Sequence, residues 1–189
     1  MNRCARSISI FTLAGALLGT VCSAARADDS ANPKYTAWSN FKAGSSSTVE
    51  ADMDVQGNKF HISMVRTLVS IDADKAVVAI KSTVNVMGHD HDAPIRTETI
   101  SAKGNPDSLS PTGEKDVEAM GKTFKCKVFD AKGNPNAVPD RSAGPIGNVD
   151  NMKATVYVSD QVPGGLVRLE STTMTGKDLT FVLTAMEAK

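Results

Sequence analysis

The sequence predicts an all-β fold: a strongly curved antiparallel meander or half-barrel of about nine strands, with one short N-terminal helix. Three observations predict it. Residues 28–189 hold 17 Val, 6 Ile and 14 Thr against only 6 Leu, and branching at Cβ favours extended backbone. Apolar and polar residues alternate with a period of two over several runs, which places one face in a core and the other in water. Gly- and Asp-containing tripeptides separate those runs, as tight hairpins require.

The elements follow in order. Residues 1–27 read as a secretory signal peptide. Arg3 and Arg6 precede the apolar stretch Ser7 to Val21, and Ala25-Arg26-Ala27 offers small residues where a peptidase cuts. Two other readings of this segment are an uncleaved anchor and a lipoprotein modified at Cys22. Against the first, the apolar run is short for a bilayer. Against the second, Gly19-Thr20-Val21 before Cys22 is a poor lipobox. Residues 28–189 then form a single β-rich domain in the periplasm or outside the cell, with no stable membrane span once the signal is removed. That chain carries 18 basic and 21 acidic residues, a balance of −3 with His neutral. It has no basic face for nucleic acid. Cys4 and Cys22 leave with the signal, so the one remaining thiol, Cys126, allows no internal disulfide. At 162 residues the domain can bury enough surface to fold on its core alone.

Asn32 and Pro33 predict a helix start, with Asn as cap and Pro at the first position, over Pro33 to Phe41 with Trp38 inside. Val49 to Val55 alternates strictly with Glu50, Asp52 and Asp54, a solvated acidic row that would discourage pairing at a sheet edge. Phe60, Ile62 and Met64 share one face, whereas Val65, Val69 and Ile71 share the other, so a β-bulge near Met64 is expected. A strand long enough to pass from one layer to another is the other explanation. Ala76 to Val86 alternates with Val78, Ile80, Val84 and Val86 inward. Phe124, Cys126 and Val128 alternate with lysines, and Met152, Ala154, Val156 and Val158 with polar residues. Turns are expected at Gln56-Gly57-Asn58, Asp72-Ala73-Asp74, Met120-Gly121-Lys122 and Thr175-Gly176-Lys177. Residues 131–151 are rich in Gly, Pro, Asn and Asp and lack periodicity, as a long loop does.

Chemistry-bearing residues are few. Gly88-His89-Asp90-His91-Asp92-Ala93-Pro94 reads as a polar loop. His89 and His91, with His61 as a further ligand, are the candidates for a metal site. Otherwise no cofactor is expected. Cys126 with His61 as base would make a nucleophile pair, but its phase with Phe124 and Val128 points to a core position. No nucleophile elbow, Walker loop, dinucleotide fingerprint or His-Glu-x-x-His motif is present. Trp38, Met53, Met64 and Met152 are candidates to line an apolar ligand pocket, since Met adapts to irregular cavities.

The layout of signal, short Trp38 helix, Gly44-Ser45 and long meander resembles a group of uncharacterised exported bacterial proteins. The strings Gly121 to Lys127 and Val156 to Val167, with its Pro163-Gly164-Gly165 corner, carry that resemblance. It is similar in architecture to the periplasmic lipoprotein-carrier-like half-barrel. The resemblance implies a concave sheet over an apolar hollow and transfers no ligand residue. The leading expectation is an exported non-catalytic binding module for an apolar small molecule, a lipid or an envelope partner protein. The alternatives are a metal-binding protein or enzyme using the His89/His91 segment, and a structural envelope protein with no small-molecule site.

Overall fold

The computed structural model describes residues 31–55, 57–104, 111–132, 153–172 and 178–189. The signal segment, Met152, residues 133–151 and the Thr175-Gly176-Lys177 turn lie outside them. Among the described residues, ten strands follow one helix: α1 (Pro33–Ser39), β1 (Ser46–Val55), β2 (Asn58–Ile71), β3 (Lys75–Val86), β4 (His89–Asp92), β5 (Arg96–Ser101), β6 (Gly113–Ala119), β7 (Lys122–Lys132), β8 (Lys153–Val158), β9 (Leu166–Thr172) and β10 (Asp178–Glu187).

All ten strands form one antiparallel sheet that is not closed into a barrel. Its order is β4-β3-β2-β1-β10-β9-β8-β7-β6, with β5 also on β3. Each half is a meander, and the first and last strands meet in the middle: Ser46 pairs Glu187 and Glu50 pairs Val182. β1 is therefore central over Ser46 to Glu50, while Asp52 and Asp54 lie on its part beyond the β10 pairing. Asp52 and Asp54 are solvent-exposed as expected, while Glu50 is half-buried.

The helix starts as the sequence predicts. Pro33 occupies the first turn, and the Asn32 side chain accepts from the Lys34 amide at 3.0 Å. In β2 the buried side chains run Ile62, Met64, Arg66 and Leu68 without interruption. The expected bulge near Met64 is absent, and the register shifts only between Leu68 and Ser70. Arg66, not Val65, continues the inward face. Val65 is half-buried and Val69 is exposed. The segment expected as a loop at His89 to Asp92 is a strand, because β3 extends far enough to pair with both β5 and β4.

Both faces of the C-terminal half are covered. Phe129, Val156, Leu169 and Phe181 form one row across β7 to β10, and Val128, Tyr157, Arg168 and Val182 form the next, on the opposite face. Val156, Leu169 and Phe181 are buried on the first face, and Tyr157 on the second together with Phe124 and Cys126, four residues and two residues before Val128 on the same side of β7. Arg168 crosses this second face to donate to the Glu118 carbonyl of β6 at 3.4 Å. The edge of the sheet thus curls back onto β9.

The turn between β3 and β4 carries a testable cost. Met87 and Gly88 have φ of 54° and 88°, the two-residue hairpin geometry that Asn-Gly fits best. Met87 is 72% exposed, so its side chain gains little there. Met87→Asn should stabilise the protein by about 0.5–1 kcal/mol, read as a higher urea midpoint. A lower midpoint would contradict this view of the turn.

Candidate functional site

The inner face of the N-terminal half is set by cross-strand register. Four rows lie side by side on it: Ser47–Arg66–Ile80–Arg96, Val49–Met64–Ser82, Ala51–Ile62–Val84–His91 and Met53–Phe60–Val86–His89. The intervening rows Glu50–Ser63–Thr83–Asp92 and Asp52–His61–Asn85–Asp90 point to the other side.

One end of this face is plugged. Trp38 of α1 is 2% exposed, and Leu68, Val162 and Pro163 beside that end are fully buried. The corner after β8 lies against the helix: the Gly164 amide donates to the Ala37 carbonyl at 3.0 Å. Arg66 donates through Nη2 to the Gly164 carbonyl at 3.2 Å, and its guanidinium lies 5.8 Å from the Trp38 ring centre. Tyr35 adds a bond from its hydroxyl to the Asp72 carbonyl at 2.6 Å. Helix, corner and β2 are thereby locked together.

Exposure rises toward the other end. Met64, Ile62 and Ala51 are buried, whereas Met53, Phe60, Val84 and Val86 are only half-buried. Here the β1–β2 and β3–β4 turns project, and nothing comes within 4 Å of a Cβ built on Gly57 or Gly88. An open depression of about 750 Å³ lies at these turns, lined by Asp52, Met53, Lys59, Phe60, His61 and Met87 among others. Met53 and Phe60 reach it from the inward face, and Asp52, Asp54, Lys59, His61 and Asn85 from the outward rows, so it wraps the turn-bearing end of the sheet.

The candidates read from sequence therefore separate. Met53 stands at the depression, Met64 is in the core, and Trp38 is the plug at the opposite end. His89 and His91 sit on one side of β4, both exposed, in the rows of Phe60 and Ile62. His61 belongs to an outward row instead, where its Nδ1 pairs Asp52 at 2.9 Å. The three histidines do not converge, and among the described residues no three His, Cys, Asp or Glu side chains gather as metal ligands do. The outward rows are occupied by their own bonds. Thr83 Oγ1 donates to Asp92 at 2.6 Å and Lys81 lies 3.0 Å from it, and these contacts hold the Asp92 carboxyl below its usual range. Asn85 Nδ2 donates to Asp90 at 2.6 Å.

Cys126 is in the core on β7, five strands along the sheet from His61. Its thiol contacts the Phe124 carbonyl at 3.5 Å. Burial pushes its pKa up to about 11, with the Asp116 charge acting the same way. The thiolate is the reactive form, so the native protein should react with Ellman's reagent at pH 8 more than tenfold slower than the urea-unfolded chain. Equal rates would place Cys126 at an accessible surface. Phe60 and Arg66 are the residues that sequence reasoning missed. Phe60 had the right phase, but nothing local marks where burial fades along a strand. Arg66 breaks the apolar pattern that the reading depends on.

Comparison with known proteins found no matching family model and no matching curated protein.

Proposed function

We propose that this protein is an exported, non-catalytic binding module that takes an apolar small molecule or lipid on the inner face of its curved sheet, entering at the end marked by Met53 and Phe60. The observation that carries this reading is the gradient of burial along the inward face from Leu68 and Met64 to Met53 and Phe60. The face is sealed by Trp38 at one end and half-exposed at the other. An apolar surface left partly in water at one end of a core marks a place for a partner. The lipoprotein-carrier-like layout of the sequence agrees with a concave sheet of this kind. Export rests on residues 1–27, and protein from its own host should begin at Asp28.

Titration with the apolar fluorophore N-phenyl-1-naphthylamine tests the site. Saturable binding is expected, weakened at least tenfold by Phe60→Asp, which places a carboxylate at the entrance while leaving the sealed end intact. Absence of binding, or equal binding by the variant with unchanged circular dichroism, would turn the reading toward an envelope protein without a small-molecule site.

A further inference from the structure

The inner face contains a charged group whose hydrogen bonds are only partly made. Arg66 is 6% exposed and Ser47 is 1% exposed. They are direct cross-strand neighbours in the β1–β2 register, which places their Cβ atoms about 5 Å apart. Arg66 Nη2 bonds the Gly164 carbonyl. Arg66 Nε and Ser47 Oγ, both buried, have no hydrogen-bond partner among the described residues. A buried donor left without an acceptor is costly, and more so on a charged group. Two such atoms on facing residues form a small recognition element with an acceptor missing.

That element lies in line with the entrance. Going inward from Phe60, β2 presents Ile62, Met64 and then Arg66 on one side. At ~3.4 Å per residue the distance from Phe60 to Arg66 is about 20 Å, the reach of a long fatty acyl chain. On one side each lane residue has a small neighbour, Ala51 beside Ile62 and Ser82 beside Met64, and on the other a valine, Val84 and Val49. Unbranched Met64 can change shape where a branched residue could not.

We infer that the inner face takes an amphiphile ending in a carboxylate, with its head on Arg66 Nε and Ser47 Oγ and its tail along Met64, Ile62 and Phe60 toward the entrance. This rests on the apolar-binding reading above and names its ligand class. A guanidinium N–H and a hydroxyl are two donors for the two oxygens of a carboxylate, and such charge-assisted bonds are the stronger kind. The Glu98 carboxylate acts electrostatically on Arg66, which favours a singly charged head over a doubly charged phosphate.

Binding of cis-parinaric acid and of its methyl ester at pH 8, to the protein without residues 1–27, decides the matter. The acid should bind at least tenfold more tightly than the ester. Ser47→Ala should weaken the acid several-fold and leave the ester unchanged, and Arg66→Met should bring the two together. Should Arg66→Met fail to fold, the ratio on the unaltered protein and on Ser47→Ala still decides. Equal affinity for acid and ester overturns the inference, as it would if a buried water filled the gap, while leaving the apolar site standing. If neither acid, ester nor N-phenyl-1-naphthylamine binds, both readings fall.

Discussion

Gly164→Ala is expected to destabilise the protein by about 3 kcal/mol. Gly164 has φ of +73°, and a Cβ added there would lie 2.5 Å from Trp38 Cζ2, 2.8 Å from Cε2 and 3.0 Å from Arg66 Nη2. The left-handed backbone costs a side chain roughly 1–2 kcal/mol. Crowding a packed core costs roughly 1–3 kcal/mol, and an indole held between Arg66 and the corner has nowhere to retreat. Gly57 is the control. Its φ is +85°, yet nothing stands within 4 Å of its would-be Cβ. Gly57→Ala should therefore lose only the backbone part, about 1 kcal/mol. Urea unfolding of both variants reads the difference. Equal losses would mean that the corner does not press on the indole.

Trp38→Ala is the second large effect, about 3–5 kcal/mol. Trp38 is 2% exposed and is touched from two sides, by Arg66 and by the corner. Removing the ring leaves a void and strips Arg66 of its aromatic neighbour while the charge stays buried. The same change should relieve Gly164→Ala. In the double variant the methyl enters the vacated space, so the two losses should fall short of their sum by at least ~1 kcal/mol. Additive losses would separate the two residues. The measurement also distinguishes a plug from a ligand wall. A residue that lines a vacant pocket costs little stability when truncated and much binding, whereas Trp38 should show the opposite balance.

The strands and the helix were legible because their signals are local. Val78, Ile80, Val84 and Val86 state their own sidedness, and Asn32-Pro33 states a helix start. Three features were not legible, each for a physical reason. The pairing of β1 with β10 joins segments more than a hundred residues apart, and nothing in either strand names its neighbour. Arg66 faces inward because Trp38, Gly164 and Glu98 offset its charge from distant parts of the chain. Read alone, a charged residue at that phase looked like a change of face. His89 to Asp92 looked like a loop because Gly88 and Pro94 bracket it, and the deciding factor was a second partner available along β3. For the candidate site, Met53 was chosen by phase, and the structure places it half-buried at the open end. Trp38 was chosen by type, and type does not say which end of a sheet a ring closes.

The union of β1 with β10 at the centre of the sheet has a kinetic consequence. Strands that neighbour each other in sequence can zip early, giving two separate meanders. Their junction must wait until β10 has been synthesised, and so distant a contact closes slowly because of the loop entropy spent first. Until then β1 offers a bare row of amides and carbonyls along one side. A nascent chain arranged in this way stays unlocked while the ribosome is still working, and closes only when its last strand arrives.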